Sequence, residues 1–436
     1  MLRAGNGGAI LGSLDTITVE KPVTSAGFPE RAREAAAWCA FGSGVAVIFS
    51  IAVSQILLGG AILALILGHV RLRFPRITLP LALFLLGTLV AFAFSEVPSA
   101  GLSQIKHMYL YLTLPVVFTA IGTTRRASFY FMAVVAASAL MALLGCIQYA
   151  QKLHAAHAAG KDFYEFYLEA RITGLQKHWM AFSGQELYGL LIGVAGLFFA
   201  PVPARRPRLH LAIRVFCILI IGVALVLSET RGVWVAAFIG MTYLLWCWRR
   251  IYTLAAPVVV IVSLLVAPKN IRDRVDSLFH PHGDTDSNSH RIVCWRTGWE
   301  MIKAHPLLGL GPDVQKLKFY DYVPKDIPWP LPTGFYGHLH NLYIQYAADR
   351  GIPTMLMIVW FLLAIIINAW RKLARLAPGP SIHRFLLQAG IACTIGSMIE
   401  GIVEYNLNTS VVLALFLAIA ACTSLAAENE QQPSRT

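Results

Sequence analysis

The chain contains a long succession of apolar stretches, and this feature restricts its fold more than any other. A bilayer core about 30 Å thick needs about 20 mostly apolar residues per helix, and backbone groups in lipid must be bonded internally. Open sheets are therefore excluded, and a charged content of 14% with 57% hydrophobic residues agrees with this class. We predict an all-α integral membrane protein with about twelve transmembrane helices. The windows centre on 36–53, 54–70, 77–95, 105–122, 128–150, 184–201, 209–227, 232–248, 251–267, 352–371, 384–402 and 407–426.

The distribution of Lys and Arg predicts how these helices are oriented. Alternate connections are basic, and the intervening ones are short and poor in Lys and Arg. The basic connections lie at 69–76, 123–128, 204–210, 248–250 and 371–384. We therefore expect both termini in the cytoplasm. The net charge of +13 is explained by basic loops beside anionic membrane lipids, so nucleic acid is not an expected partner.

This topology divides the chain into five segments. Residues 1–35 lack the apolar core of a signal peptide and are expected to form a cytoplasmic tail. The first nine helices, with an outward loop at 151–183, are expected in 36–267. A large outward loop follows at 268–350, then three helices at 351–426 and a second cytoplasmic tail at 427–436. A connection of about eighty residues is far longer than usual and typically functional, so we expect the site there.

The large loop has helical patterning at its centre. Apolar and aromatic residues at 292, 295, 299 and 302 predict an amphipathic helix within 289–306, with Arg291 and Arg296 near its start. Residues 322–337 are rich in Pro and Gly and should be irregular.

The segment GHLHNLYIQYAADRGIP (337–353) predicts the end of the loop. Asn341 is a good N-cap for a short helix through Arg350, and Gly351 and Pro353 mark a break before the next span. His338 and His340 would then lie at the outer mouth of a transmembrane helix. One histidine there could act as a general base, while the alternative is a pair of headgroup-level histidines without catalytic role.

Outward-facing residues are strongly skewed toward cations, which favours an anionic substrate such as a polyprenyl diphosphate. Arg231 in the short turn SETRG must be paired or functional. Its alternative role is an interface anchor paired with Glu229, and that of Arg291 and Arg296 is a solvated helix face. Glu400 and Glu404 either orient an arginine or serve helix packing.

Several other chemistries lack support in the sequence. There is no GxxxxGK[ST] motif, so no nucleotide is expected, and neither HExxH nor paired CxxC occurs. The HxH pair at 338–340 could bind zinc, but no third ligand stands at a diagnostic spacing. The string DTD at 284–286 resembles a metal motif of sugar-nucleotide transferases, although its surroundings favour Asx turns.

Four motifs in order resemble the O-antigen ligase superfamily, which includes O-antigen polymerases and bacterial O-oligosaccharyltransferases. They are LSETRGVW, RIVCW, HPLLGLGPD and HLHNLYIQYAADRGIP, with a large outer loop between the first and the last. The similarity covers roughly 225–365, and the stretch at 170–184 resembles the family more weakly. The chain departs from many members in having Thr230 before Arg231, and Lys177 with His178 at an often Asn-rich turn.

The resemblance implies a GT-C type, inverting, metal-independent glycosyltransferase of the bacterial inner membrane, with no cofactor and its active site facing the periplasm. It implies an undecaprenyl-diphosphate-linked O-antigen donor and, for a ligase, a lipid A-core acceptor. The O-antigen polymerase and the protein O-oligosaccharyltransferase are alternatives, and a lipid-linked glycan flippase or transporter is a remote one.

Site residues follow from the same resemblance. The catalytic histidine maps to His338 or His340, with His338 favoured, and the diphosphate arginines map to Arg231 and Arg291. Further donor-binding residues are expected to be Arg171 and Arg296, and supporting residues Asn341, Glu229, Lys177 and His178.

Overall fold

The computed structural model describes residues 27–277 and 288–428, and within these ranges it contains α-helices, short 3-10 helices and no β-strand. The α-helices are α1 Phe28–Ala46, α2 Ile51–Leu67, α3 Thr78–Ala93, α4 Pro98–His107, α5 Thr113–Ile121, α6 Thr124–Ala158, α7 Phe163–Glu169, α8 Trp179–Phe199, α9 Pro207–Leu227, α10 Arg231–Trp248, α11 Ala256–Val266, α12 Lys269–Asp276, α13 Asn288–Ala304, α14 Leu342–Leu373, α15 Ile382–Glu400 and α16 Ser410–Glu428.

The predicted fold class is confirmed, because several of these helices can cross a bilayer. Within the described ranges, six are long and apolar enough to do so: α6, α8, α9, α14, α15 and α16. Two shorter apolar helices, α2 and α3, accompany them. The chain is therefore an all-α, multi-pass membrane protein, while the number of twelve crossings stays a prediction.

Two predicted spans take a different form in the structure. The window 105–122 is divided into the end of α4, a 3-10 turn at Met108–Leu112 and α5. The window 251–267 is a 3-10 turn followed by α11, whose 11 residues extend only about 16 Å. Both α5 and α11 have a proline in the first turn, at Pro115 and Pro257. Proline is tolerated there but cannot continue a preceding helix, so the break follows from the sequence.

The centre of the bundle is formed by α8 and α16. In both helices 89% of the most apolar window is buried inside the protein, against 17% in α9. The apolar surface of α9 is thus left for lipid, whereas α8 and α16 are enclosed by their neighbours. Residues at the two ends of the chain differ slightly from prediction, since α1 begins at Phe28 and α16 continues to Glu428.

One end of the bundle carries α12, α13 and the irregular residues 305–341, and we call it the loop end. A small hydrophobic core holds this layer together, formed by residues of α13, the irregular segment and the start of α14: Val293, Met301, Phe319, Leu339 and Ala348. Residues 323–340 contain no helix, as predicted from their prolines and glycines. The DTD string lies outside the described residues.

The predicted helix within 289–306 is confirmed as α13, but only part of its predicted apolar face is buried. His290, Cys294 and Met301 are buried, whereas Ile292 and Trp299 are each 55% exposed. Ile292 lines an outer groove described below, whereas Ile302 belongs to the loop-end core and Trp295 packs against that core. An apolar stripe on a membrane protein does not distinguish a core-facing surface from a lipid-facing one.

The predicted cap and break of α14 are confirmed, and they hold the start of this helix in place. Gly351 has φ +82°, and a Cβ there would lie 1.9 Å from the carbonyl oxygen of Leu307. The HPLLGLG segment lies against the break, where the N–H of Leu310 donates to Ala348 O at 2.9 Å and that of Ile352 to Pro306 O at 2.8 Å. This segment satisfies backbone groups that the break would leave unpaired.

Candidate active site

The HLHN segment is fixed to the start of α14 by its asparagine. Asn341 Oδ1 accepts from the N–H groups of Tyr343 and Ile344, both at 2.9 Å, and its Nδ2 donates to Ile402 O at 2.7 Å. Asn341 therefore caps α14 and links it to the turn that follows α15. The residue before it, His340, has φ +49°, an uncommon conformation for a non-glycine residue that tends to occur at functional sites.

His340 is buried and both of its ring nitrogens face oxygen atoms. Nε2 lies 3.1 Å from Phe335 O, and Nδ1 lies 3.4 Å from Glu404 Oε2. Both nitrogens can donate at once only when the ring is an imidazolium. Since both are engaged, His340 is poorly placed to accept a proton from a substrate.

Glu404 links His340 to a predicted donor-binding arginine. Its Oε1 pairs with Nη2 of Arg291, and its side chain is 2% exposed. Burial alone would raise the pKa of this carboxyl, but Arg291 and the bond with His340 hold the pKa below its usual value. Glu404 is therefore a buried carboxylate that fixes Arg291 and His340 relative to each other.

His338 is the more accessible of the two histidines. Its ring packs on that of His340, with centroids 4.1 Å apart, and lies 6.0 Å from Tyr405. The N–H of His340 donates to Nδ1 of His338 at 3.3 Å, so Nε2 is the nitrogen left for a substrate. Burial, together with neighbouring His340, lowers the pKa of His338 to about 3.

This geometry also defines what His338 needs in order to act as a base. With Nδ1 accepting from the backbone, the neutral ring carries its proton on Nε2. Proton uptake through Nε2 therefore requires the other tautomer, at the cost of one long hydrogen bond. The accessible nitrogen and the neutral state favour His338 over His340 as the base.

A third histidine, His290, joins this group from α13. Its Nε2 lies 2.7 Å from Phe335 O, and its ring is 4.7 Å from that of His340. Among the described residues, ligand atoms of His290, Cys294 and His340 lie within 4.8 Å of one another. The ligand missing from the HxH interpretation is thus present in space. However, one carbonyl already accepts from both imidazoles, and burial raises the pKa of Cys294 to about 12, so a hydrogen-bonding role accounts for the cluster.

An apolar groove of about 490 Å³ opens beside Arg291. Arg231 lies at the same groove, so the structure brings the two predicted diphosphate arginines together. Apart from Asn288, the remaining wall is apolar and comes from α10, α13, the end of α15 and the turn after it: Gly232, Trp234, Val235, Ile292, Trp295, Ile399, Ile402 and Val403. We call this cavity the arginine groove. Its composition suits a lipid tail attached to an anionic group.

Arg231 is held in a fork at the start of α10. Its Nη1 donates to Ser277 Oγ at 2.9 Å and its Nη2 to Asn288 Oδ1 at 2.8 Å, and the residue is 6% exposed. These bonds connect α10 to the ends of α12 and α13. Arg231 thus shapes the groove as well as lining it.

Behind the groove, Glu229 binds a second set of cationic side chains. Its backbone carbonyl accepts from Arg171 at 3.4 Å and from Arg274 at 3.3 Å, while Asn270 donates to its carboxylate at 2.7 Å. Burial raises the pKa of Glu229 to about 7, against the effect of Asn270 and the two arginines. Arg171 also stacks over Trp179, with Cζ 5.0 Å from the ring centroid. These residues support the turn that carries Arg231.

The structure does not bring the other predicted residues into this group. Arg296 is exposed and pairs with Asp326, with both oxygens at 2.8 Å from Nη2. Lys177 is exposed, and His178 caps α8 by accepting from the N–H of Met180 at 3.2 Å. For Arg296 the solvated-face alternative describes its position better.

Sequence reasoning missed three contributors, His290, Cys294 and Tyr405, and did not assign Glu404 to the site. Of the two roles suggested for Glu404 from its place near the outer end of a span, orienting an arginine matches the structure. His290 carried a weaker signal, since it directly precedes Arg291. His290 and Glu404 come together only because α13 contacts the turn after α15.

Comparison with known proteins relates part of the chain to one family. Residues 215–359 match the sequence model of a family described as O-antigen ligase. The match extends from α9 to the first half of α14 and so includes Arg231, Arg291, His338 and His340. No curated protein shows significant sequence similarity to the chain. This multi-pass membrane protein thus contains, over residues 215–359, a domain of the O-antigen ligase family.

Proposed function

We propose that the protein is an O-antigen ligase, which transfers O-antigen from undecaprenyl diphosphate to a sugar hydroxyl of lipid A-core in lipopolysaccharide synthesis. One observation carries this proposal. Arg231 and Arg291 share an apolar groove, and Glu404 joins Arg291 to the histidine pair. The lipid tail of the donor, its diphosphate and the general base therefore occupy neighbouring positions.

The groove is suited to hold the donor. The polyprenyl chain lies along Trp234, Ile399 and Ile402, and the diphosphate faces the two guanidinium groups. The Arg291 side chain is 20% exposed and lines the groove, so its guanidinium can meet a donor oxygen. Guanidinium groups bind phosphate oxygens in bidentate fashion and stay charged at physiological pH.

Transfer then requires one displacement. His338 takes the proton of the acceptor hydroxyl while the hydroxyl oxygen bonds to the anomeric carbon of the donor sugar. The bond from that carbon to the diphosphate oxygen breaks at the same time. The electron pair leaves on undecaprenyl diphosphate, whose charge is balanced by Arg231 and Arg291. A leaving group neutralised in this way needs no catalytic acid, and a single in-line displacement inverts the anomeric centre. The step requires no metal or other cofactor.

The proposal includes an orientation in the bacterial inner membrane. The loop end faces the periplasm, and both termini lie in the cytoplasm, consistent with the basic connections at the opposite end of the bundle. Donor and acceptor are both membrane-anchored, so a site at the mouth of α14 is within reach of each. Nucleotide and nucleic acid are not partners in this scheme.

The test compares lipopolysaccharide and lipid-linked glycans from strains that carry the wild-type chain, His338→Ala or no copy. We expect bare core, with polymer accumulated on the lipid carrier, in the deletion and the variant. Core bearing one repeat would instead identify a polymerase. An unchanged ladder would contradict both functions and move the acceptor to protein.

A further inference from the structure

A second cavity, of about 260 Å³, shares no lining residue with the arginine groove. It is bounded by α3, α4 and the first turn of α16, and Arg350 and Asp313 contribute from the loop end. A single water molecule needs a cavity of about 10–15 Å³, so this cavity has room for a sugar ring. We call it the Arg350 cavity.

Arg350 is a buried cation with unmet hydrogen-bonding capacity. It is 3% exposed, and Nη2 bonds to Gln104, but Nε and Nη1 have no hydrogen-bond partner among the described residues. Its Cζ lies 4.6 Å from the ring centroid of Tyr346 and 5.7 Å from that of Phe84, which hold it in place without satisfying its N–H groups. Buried donors without acceptors are costly, so oxygen atoms from a ligand are expected here.

The charges around Arg350 argue for a ligand that is neutral. Asp349 Oδ2 lies 3.8 Å from Nη1 of Arg350, and Lys316 lies 3.1 Å from Asp313. Two cations therefore face two carboxylates. The N-terminus of α16, with Thr409 and Ser410 at the cavity, adds only a partial positive charge. A group with several hydroxyls can accept from Arg350 and donate to Asp313 without adding charge.

Contacts of Tyr405 connect this cavity to His338 and so relate it to the proposed catalytic centre. Glu404 contacts the arginine groove through Arg291, whereas the next residue, Tyr405, interacts with Arg350. The Tyr405 ring lies 6.0 Å from His338 and 5.5 Å from Tyr346, and its hydroxyl interacts electrostatically with Arg350. A series of contacts through the histidine pair thus links the arginine groove to the Arg350 cavity. Two lipid-anchored substrates have to approach a shared centre from different sides.

We propose that the Arg350 cavity binds a sugar unit of the acceptor glycolipid, next to the sugar that is attacked. This inference rests on the proposed function. Hydroxyl oxygens of the sugar accept from the Arg350 guanidinium, a hydroxyl donates to Asp313, and the Tyr111 ring packs on a face of the sugar. The cavity therefore selects the acceptor and takes no part in donor binding.

The experiment uses the full-length chain in nanodiscs, an undecaprenyl-diphosphate-linked O-antigen and lipid A-core from a strain that cannot ligate. Ser103→Trp fills the mouth of the cavity from the exposed side of α4, and Arg350→Met removes the donors. Ser99→Trp is the matched control, because Ser99 is exposed on the same helix but does not line the cavity. We expect Ser103→Trp and Arg350→Met to raise the acceptor KM by about tenfold or more, since bonds to a charged donor are lost. The donor KM should stay within about twofold, and Ser99→Trp should match the wild type.

A second measurement identifies the ligand chemistry. Core oligosaccharide released from lipid A and dephosphorylated should bind the wild-type chain by saturation-transfer NMR and lose that binding in Ser103→Trp. An unchanged acceptor KM in Ser103→Trp, with normal wild-type transfer, overturns the inference and leaves the proposed function standing. Binding of the phosphorylated oligosaccharide alone overturns the assignment to hydroxyls. A wild-type chain that transfers nothing yet binds the oligosaccharide in the cavity contradicts the proposed function and supports the sugar site.

Discussion

The ion pair between Arg291 and Glu404 is closed to solvent on one side and open on the other. The Glu404 side chain is 2% exposed, while that of Arg291 is 20% exposed and lines the arginine groove. The carboxylate is thus a fixed support, and the guanidinium is the part that can meet a substrate.

We expect Glu404→Gln to destabilise the protein and to reduce transfer. Removing one partner of a buried ion pair costs about 3–5 kcal/mol, and the exposure of Arg291 places this pair near the lower end. Thermal unfolding in detergent measures the stability. The control is Glu96→Gln, which breaks an exposed pair with Lys318 and should leave the melting temperature unchanged. Equal melting temperatures for the two variants would contradict a supporting role of Glu404.

His338→Ala should abolish most transfer while leaving donor binding nearly intact. A positioned general base contributes about 10²–10⁴-fold to the rate. The measurement pairs a single-turnover transfer assay with binding of a fluorescent polyprenyl diphosphate. A variant with normal transfer would remove His338 from the mechanism, and loss of donor binding would assign it a different role.

The pH dependence of transfer should lack the step near 6.5 that an ordinary histidine base gives. Since burial lowers the pKa of His338 to about 3, its neutral form is populated above that pH, and protonation of His338 does not limit the rate between about pH 5 and 8. Stability behaves differently, because the unfolded chain binds more protons between about pH 3 and 6.5. The contribution of His338 to stability is therefore lost as pH falls through this window. A rate profile that titrates near 6.5 and loses this step in His338→Gln would show an accessible, solvated ring instead.

Arg231→Lys should impair transfer more than its unchanged charge suggests. A lysine cannot reproduce the fork that reaches Ser277 and Asn288 at once, and each bond to a charged group is worth about 1.5–3 kcal/mol. We expect at least about a tenfold loss in kcat/KM for the donor. Arg296→Lys is the matched control on the exposed face of α13 and should retain activity. Full activity in Arg231→Lys would favour the interface-anchor alternative.

Gly351→Ala should prevent correct folding of the loop end. The residue has φ +82°, and its Cβ would lie 1.9 Å from Leu307 O, so both conformation and space oppose a side chain. Gly160→Ala provides the comparison, since Gly160 has φ +62° with nothing within 4 Å of its Cβ. That control should lose only about 1–2 kcal/mol. Similar yields of folded protein for both variants, measured by size-exclusion fluorescence, would contradict this account of the break.

Local features of the site were largely predictable from the sequence. Asn341 as an N-cap, the break at Gly351 and a helix containing Arg291 each depend on neighbouring residues, and the structure confirms all three. Sharing of one groove by Arg231 and Arg291 was implied by the family resemblance alone. Their separation along the chain is sixty residues, and no local rule relates them.

The remaining features depend on tertiary contacts that periodicity does not describe. Two of the four residues of the predicted apolar face of α13, Ile292 and Trp299, are exposed, because only Trp295 and Ile302 of that face pack with the loop-end core. Arg296 differs from Arg291 only in the side of the helix it occupies. Arg350 was expected only as the end of a short helix, because its cavity is built from α3, α4 and α16, which lie far from it in sequence.

Glu404 and Tyr405 are consecutive residues, and this has a mechanical consequence. A single peptide bond joins Glu404, which holds Arg291 in place, to Tyr405, whose ring lies beside that of His338. A shift of this turn therefore moves a wall residue's support in the arginine groove and the contact of Tyr405 with Arg350 at the same time. Redesign of one cavity has to proceed through its outer walls, in α4 or α10, because an insertion at the shared turn would put both out of register with the histidines.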